Sequence, residues 1–177
     1  SSPTTMSFSE GILRYHAETK HHPDRYARSL GYMDYANQPN PFRVYEGAPI
    51  VNLPRLSQDP PGGHLALYEP DRPCAPLTLA NVAGFLELSM GLSAWKAVSG
   101  SRWSLRMNPS SGNLHPTETH LVLPDMQGCD SGIYHYSPLQ HALERRAELT
   151  GELWRAAVAH LGCEGFLAGL TSIFWRE

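Results

Sequence analysis

Residues 106–118, RMNPSSGNLHPTE, place two prolines, a glycine and several short polar side chains just before a strand-like run, THLVL. Pro109 fixes its own φ and pushes Asn108 towards an extended conformation. Gly112 allows the backbone to turn or to approach a ligand closely. The stretch therefore predicts a stiff loop that exposes backbone N–H groups and short polar side chains, which suits a flat polar heterocycle. An ordinary turn before a strand would have the same composition.

Composition indicates a globular chain of about one domain. Of its 177 residues, 41% are hydrophobic and 18% are charged, with a net charge of −3. Because the chain has no basic block, nucleic acid is not expected as a partner. The polar residues within the apolar stretch 77–98 argue against a membrane span. Three widely spaced cysteines, Cys74, Cys129 and Cys163, form no CxxC pair. They predict a reducing, cytoplasmic location without a disulfide framework.

Periodic apolar residues predict three helices. Residues 7–20 form an amphipathic stretch that Ser7 or Ser9 could cap. Residues 77–95 are apolar on nearly every side after the cap candidate Thr78, which indicates a buried helix. Residues 150–162 predict a third helix, with Thr150 as its N-cap candidate.

Strand signals are fewer. Residues 119–125 and 132–138 are rich in β-branched or aromatic residues and predict an antiparallel pair. Residues 168–177 are apolar and β-prone, whereas 141–149 are polar and predict a turn. The order of elements suggests an α+β fold. Three strands hardly close a core, since sheets usually have about 4–6, so we expect further structure beyond Glu177.

Residues 30–72 contain too many prolines for a long helix or central strand, and too many aromatics for a disordered linker. We interpret them as an ordered extended arm that wraps a body, with a turn or boundary at 58–64. The predicted organisation is thus an N-terminal helix and arm, 1–64, followed by a second part, 65–177.

The loop and the segment 132–146, GIYHYSPLQHALERR, together resemble the nitroreductase superfamily, specifically its SagB-type or azoline-oxidase branch. That branch carries an R-x-x-P-S-x-G-x-L-x-P-x-E stretch, a strand, a G-x-Y-x-Y hairpin and H-x-L-E. The residues that fit are Arg106, Pro109, Ser110, Gly112, Leu114, Pro116, Glu118, Gly132, Tyr134, Tyr136, His141, Leu143 and Glu144. Residues 15–54 also resemble the first part of long, tandem nitroreductase-like proteins, so the resemblance covers most of the chain.

The resemblance implies an FMN-dependent oxidoreductase that transfers a hydride to a nitro, quinone or azoline-type substrate, either a small molecule or a peptide. It implies a central antiparallel or mixed sheet flanked by helices, in a dimer or pseudo-dimer with FMN at the interface. The loop 109–113 would lie along the isoalloxazine ring. The implied cofactor-binding residues are Arg106, Pro109, Ser110, Ser111, Gly112, Asn113, Leu114 and His115. No residue of this chain is assigned a catalytic role.

The chain also departs from the family. An arginine-rich segment usually precedes the first core helix and binds the FMN phosphate, but here YEPDRPCAPLTL, 68–79, retains only Arg72. The catalytic Lys-Tyr pair of azoline oxidases would lie beyond residue 177. We therefore expect the front half of a nitroreductase-like module, 65–177, not active alone and completed by its remaining half or by a homo-oligomer partner. The alternative is a cofactor-free binding or scaffolding module.

Other site types have weaker support. His16 and His21 are five residues apart, without the HExxH spacing of a zinc helix, so we predict no metal site. A Ser-His-Asp hydrolase is disfavoured because the chain lacks a G-x-S-x-G elbow. His115, His120, His135 and His141 lie near the predicted hairpin, where His120 and His135 could sit on adjacent strands.

Overall fold

A computed structural model describes residues 7–27, 31–32, 34–71, 73–159 and 165–176. The chain divides into two compact units, Ser1–Gln38 and Pro39–Glu177. The first unit contains helix α1, Phe8–Thr19. Ser7 caps α1 through a reciprocal pair of hydrogen bonds with Glu10, which confirms the predicted helix and its cap.

The second unit is built on an antiparallel five-stranded sheet with the order β1-β6-β5-β4-β7. Strands β2 and β3 form a separate antiparallel hairpin. The described strands are β1 (Ile50–Asn52), β2 (Leu92–Val98), β3 (Ser101–Arg106), β4 (Thr117–Leu123), β5 (Gly132–Ser137), β6 (Ala142–Glu148) and β7 (Leu167–Ser172). The described α-helices of this unit are α2 (Leu79–Met90) and α3 (Gly151–Val158). The α+β class and the pairing of β4 with β5 are therefore confirmed.

Helix α2 supplies one side of the core. Its buried Val82, Ala83 and Leu86 cluster with side chains of β4, β5 and β6. The strand residues of this cluster are Leu121, Leu123, Tyr134, Tyr136 and Leu143. Fully burying one such aliphatic side chain contributes about 1.5–3 kcal/mol, so this contact is a main source of stability for the second unit.

Helix α2 begins at the predicted cap, Thr78, whose hydroxyl accepts from the Asn81 N–H at 3.2 Å. It ends earlier than predicted, because residues 92–98 form a strand. At Gly91 an added Cβ would lie 2.5 Å from the carbonyl oxygen of Glu87. The chain turns at this glycine and enters the β2–β3 hairpin, which was not predicted from the sequence.

Strand β6 also corrects the sequence prediction. Residues 141–149 were predicted as a turn from their polarity, but Ala142–Glu148 pair with both β5 and β1. The first half of β6 is buried, including Glu144, and its second half is mostly exposed, so Arg146 and Glu148 lie on accessible strand positions. Together with β1, β2 and β3, this strand makes the prediction of only three strands wrong.

The predicted helix at 150–162 is confirmed over Gly151–Val158, with Thr150 as its N-cap; residues 160–162 lie outside the described part. The strand predicted at 168–177 is confirmed over Leu167–Ser172, and a short 3-10 turn, Phe174–Arg176, follows it.

Residues 39–54, here called the arm segment, lie on the sheet of the second unit. Phe42 and Leu53 are buried. The Arg145 N–H donates to the Pro49 carbonyl at 2.8 Å, and the Leu53 N–H donates to the His141 carbonyl at 3.1 Å. Short strand β1 is an edge strand, a position that tolerates nearby proline. The arm segment thus pairs with the sheet through extended backbone. No helix in the described ranges has both the length and the apolarity to cross a membrane.

Candidate functional site

The loop between β3 and β4, residues 107–116, is here called the motif loop. It contains a 3-10 turn, Ser111–Asn113, entered from extended Ser110. Gly112, Asn113 and His115 have φ angles of 62°, 57° and 51°. Residues other than glycine adopt this left-handed region uncommonly, so this conformation needs side-chain support.

Three hydrogen bonds give that support from within the hairpin and the loop. The Asn113 Nδ2 donates to the Ser104 carbonyl at 3.1 Å, which leaves Asn113 Oδ1 to accept from His115 Nε2 at 2.6 Å. The His115 backbone N–H donates to Ser110 Oγ at 2.9 Å. Burial and the nearby Arg106 lower the pKa of His115, which favours its neutral form with the proton on Nε2. The polar side chains of Asn113 and His115 are thus engaged in shaping the loop.

The outer part of the motif loop has unused donors. The backbone N–H groups of Ser110, Ser111 and Gly112 donate to no acceptor among the described residues. Ser111 and Gly112 are exposed and Ser110 is partly exposed. The loop therefore presents three consecutive free N–H groups on a backbone that its own side chains hold rigid.

Arg106 lies beneath the motif loop and is buried. Its Nη2 donates to the Pro41 carbonyl at 2.6 Å, and its Nη1 lies 3.5 Å from the Thr117 carbonyl. The guanidinium carbon also lies 5.6 Å from the centroid of the Phe42 ring, within cation–π range. Burial lowers the pKa of Arg106, and the Glu118 carboxylate opposes that effect. Arg106 thus joins the loop to the arm segment.

A cluster of three buried ionisable side chains lies on neighbouring strands next to the loop. His135 on β5 has Nε2 2.7 Å from Glu118 Oε2 on β4 and Nδ1 2.7 Å from Glu144 Oε2 on β6. All three side chains are at most 1% exposed. We call Glu118, His135 and Glu144 the acid–histidine cluster. His120 pairs with His135 in the strand register, with ring centroids 5.2 Å apart, as the sequence suggested.

Arg176 connects this cluster to both the loop and the arm segment. Its Nη1 lies 3.6 Å from Glu118 Oε1 and donates to the His115 carbonyl at 3.2 Å. Its Nη2 donates to the carbonyls of Pro39 and Asn40. Burial lowers the pKa of Arg176, while Glu118 opposes the shift. One buried cation thus contacts three parts of the second unit.

A second buried polar pair lies at the other end of the arm segment. The Tyr136 hydroxyl donates to His141 Nδ1 at 2.9 Å, because His141 Nε2 faces the Pro54 carbonyl at 3.2 Å. Burial raises the pKa of Tyr136 to about 12, so its hydroxyl keeps the proton that it donates to this ring nitrogen.

No protein-family model matches the chain, and no curated protein matches it. A crystal structure of a candidate nitroreductase from Anabaena variabilis matches with a TM-score of 0.64 and 23% identity. The match covers 93% of this chain and 32% of that chain. The chain has a nitroreductase-like fold.

A second structure, a chain of the Escherichia coli microcin synthetase McbBCD complex with truncated pro-MccB17 bound, matches with a TM-score of 0.42 and 19% identity. That match covers 99% of this chain and 59% of that chain. The chain therefore spans about one third of the first nitroreductase-like structure and under two thirds of the second.

Within this nitroreductase-like fold, the residues predicted to bind the cofactor occupy two layers. Pro109, Ser111 and Gly112 are exposed, and Ser110, Asn113 and Leu114 are partly exposed. Arg106 and His115 are buried beneath them. The fold thus brings all of the predicted residues to one loop and its base, with the side chains of Arg106 and His115 directed to protein partners.

The predicted site did not include Arg176 or the mutual contacts of Glu118, His135 and Glu144. The strand register brings the three together, because His135 lies opposite Glu144 on β6 and opposite His120 on β4, and Glu118 shares a face with His120. Because residues 141–149 were predicted to form a turn, the contact of Glu144 with His135 was not expected. Among the described residues, no group of three or more His, Cys, Asp or Glu side chains is arranged to hold a metal ion. Cys163 lies outside the described residues.

Proposed function

We propose that this chain is part of an FMN-dependent oxidoreductase of the nitroreductase type, in which the motif loop binds the edge of the flavin ring. The observation that supports this most is the run of free N–H groups at Ser110, Ser111 and Gly112 in a nitroreductase-like fold. An isoalloxazine ring carries carbonyl and ring-nitrogen acceptors along one edge. Rigid backbone donors suit such acceptors because they lose little conformational freedom on binding.

The residues of the loop would then have distinct roles. Pro109 and the left-handed Gly112 set the backbone path, and the Ser111 hydroxyl, which is exposed, adds a polar contact. Asn113 and His115 keep the loop rigid from below. When bound, FMN would supply hydride transfer to a nitro, quinone or azoline-type group on a small molecule or a peptide. The protein would position the ring and exclude competing partners.

We propose that residues 65–177 form the front half of such a module and that the FMN site is completed from elsewhere. The completing residues would come from a further nitroreductase-like half or from a second copy of the chain. The coverage of 32% of the matched nitroreductase-like chain supports this division.

A single backbone N–H provides the sharpest test. Ser111 opens the 3-10 turn and Ser110 before it is extended, with φ −142° and ψ 134°. Proline is tolerated at the first position of a helical turn and requires an extended residue before it. Ser111→Pro should therefore remove one N–H with little distortion, whereas Ser111→Ala removes only the hydroxyl.

We expect FMN to raise the thermal midpoint of the unmodified chain, with stabilisation that grows as the ligand exceeds its Kd. Ser111→Pro should raise the apparent Kd for FMN by about tenfold, which corresponds to a loss of about 1.4 kcal/mol in binding free energy. Ser111→Ala should weaken it less. Equal FMN affinity for both variants would show that the loop N–H does not contact the flavin.

The second candidate function is a nitroreductase-like module that binds or scaffolds a partner without FMN. The segment 68–79 favours it, because it carries a single arginine where the family resemblance leads us to expect a phosphate-binding cluster. Under this alternative, FMN would leave the thermal midpoint unchanged although the motif loop is intact.

A further inference from the structure

The acid–histidine cluster raises a question that flavin binding does not answer: where its protons lie. Each ring nitrogen of His135 is 2.7 Å from a carboxylate oxygen. A neutral imidazole has one N–H and one lone pair. A lone pair facing a carboxylate oxygen at that distance would be repelled, so each of the two contacts must contain a proton.

The surroundings of the two glutamates decide which atoms carry those protons. Arg176 lies 3.6 Å from Glu118 Oε1, and Arg106 also acts on that carboxylate. The Tyr45 backbone N–H donates to Glu144 Oε1 at 3.1 Å. Nearby cations and hydrogen-bond donors favour the ionised carboxylate. Both shared protons are therefore expected on the imidazole.

Other charged groups surround the cluster and must be compatible with a cation at its centre. Burial and His135 itself lower the pKa of His120, so that neighbouring ring stays neutral. The Tyr45 ring lies edge-on to the His135 ring, with centroids 5.1 Å apart. Among the described residues, the other cationic groups in this region are Arg43 and Arg146 at the Tyr45 ring, together with Arg106 and Arg176.

We propose that His135 is held as an imidazolium between Glu118 and Glu144 and acts as an ionic clasp that fixes the arm segment to the sheet. Glu144 is the connection, because the same carboxylate binds His135 through Oε2 and the Tyr45 N–H through Oε1. Glu118 extends the clasp to Arg176, which donates to the arm carbonyls and to the His115 carbonyl of the motif loop. His135 is thus a positioning residue for both segments.

The charge on His135 is measurable directly. In ¹⁵N-labelled protein at about pH 7, the His135 ring can be assigned through its contact with the Tyr45 ring. The clasp requires both ring nitrogens to show the ¹⁵N shifts of protonated nitrogen. A single non-protonated ring nitrogen would overturn the proposal. This measurement uses the unmodified chain and needs no flavin.

The clasp itself is tested by hydrogen exchange at the Tyr45 N–H, with the Leu53 N–H as an internal reference because it donates to the His141 carbonyl. His135→Gln should raise the ratio of Tyr45 to Leu53 exchange by about tenfold. His120→Gln is the matched control, because it removes the neighbouring imidazole and leaves both carboxylate contacts in place. An unchanged ratio in His135→Gln, or an equal rise in both variants, would show that His135 does not hold the arm.

Discussion

Asn113 offers the most quantitative test of how the motif loop is built. Asn113→Ala removes the hydrogen bonds to the Ser104 carbonyl and to His115 Nε2, both of which belong to buried residues. A typical hydrogen bond contributes about 1 kcal/mol, and a buried partner left unpaired costs about 1–3 kcal/mol. The expected loss in the free energy of unfolding is therefore about 2–4 kcal/mol.

The backbone contribution separates by comparison with Asn113→Gly. Both variants lose the same two hydrogen bonds, but residue 113 has a φ of 57°, where alanine is strained by about 1 kcal/mol and glycine is not. Asn113→Gly should therefore retain about 1 kcal/mol more stability than Asn113→Ala.

Urea denaturation of the three proteins measures both effects. Asn108→Ala is the matched control in the same loop, since the Asn108 Oδ1 has no hydrogen-bond partner in the described structure. That variant should stay within about 0.5 kcal/mol of the unmodified chain. If Asn113→Ala is equally neutral, or if the glycine variant is the less stable one, the loop is not held as described.

Three further changes test other parts of the structure by the same denaturation assay. Thr78→Ala should cost about 1 kcal/mol because it removes the α2 N-cap. Leu121→Ala should cost about 2–5 kcal/mol, because the side chain is fully buried, while Leu88→Ala, 44% exposed in the unmodified chain, should cost far less. The pKa values of His115 and His120 are lowered in the folded chain. Unfolded chains then bind more protons below about pH 6.5, so stability should fall as pH falls through that range, and less steeply in a variant with both histidines replaced by glutamine.

The parts of the fold that could be predicted are those with a local signal. Helix caps at Ser7, Thr78 and Thr150 were correct because a short side chain accepts from an N–H two or three residues away. The pairing of β4 with β5 followed from their β-branched and aromatic content.

The strands that were missed depend on tertiary contacts. Strand β6 is polar along its outer half, and only its pairing with β1 and β5 makes it a strand. The β2–β3 hairpin did have a local signal in the pair Ser99–Gly100, whose φ angles in the structure are 46° and 83°. A Ser-Gly pair between two β-prone runs is typical of a tight hairpin turn.

The candidate site was predictable only in part for the same reason. Pro109 and Gly112 indicated a rigid loop with free N–H groups, which is what the structure contains. The inward direction of Arg106 and His115 was not predictable, because their partners, the Pro41 carbonyl and Asn113, are defined by the placement of the arm and by left-handed backbone at the loop.

The most direct test of the central proposal is an FMN titration followed by ¹H–¹⁵N NMR of the backbone amides. The account predicts that the Ser110, Ser111 and Gly112 signals shift together as FMN binds. The Met107 amide, which donates to the Gly91 carbonyl at 2.9 Å, should remain nearly unchanged and serves as the reference. Binding that shifts amides elsewhere and leaves these three unaffected would contradict the assignment of the motif loop as a flavin site.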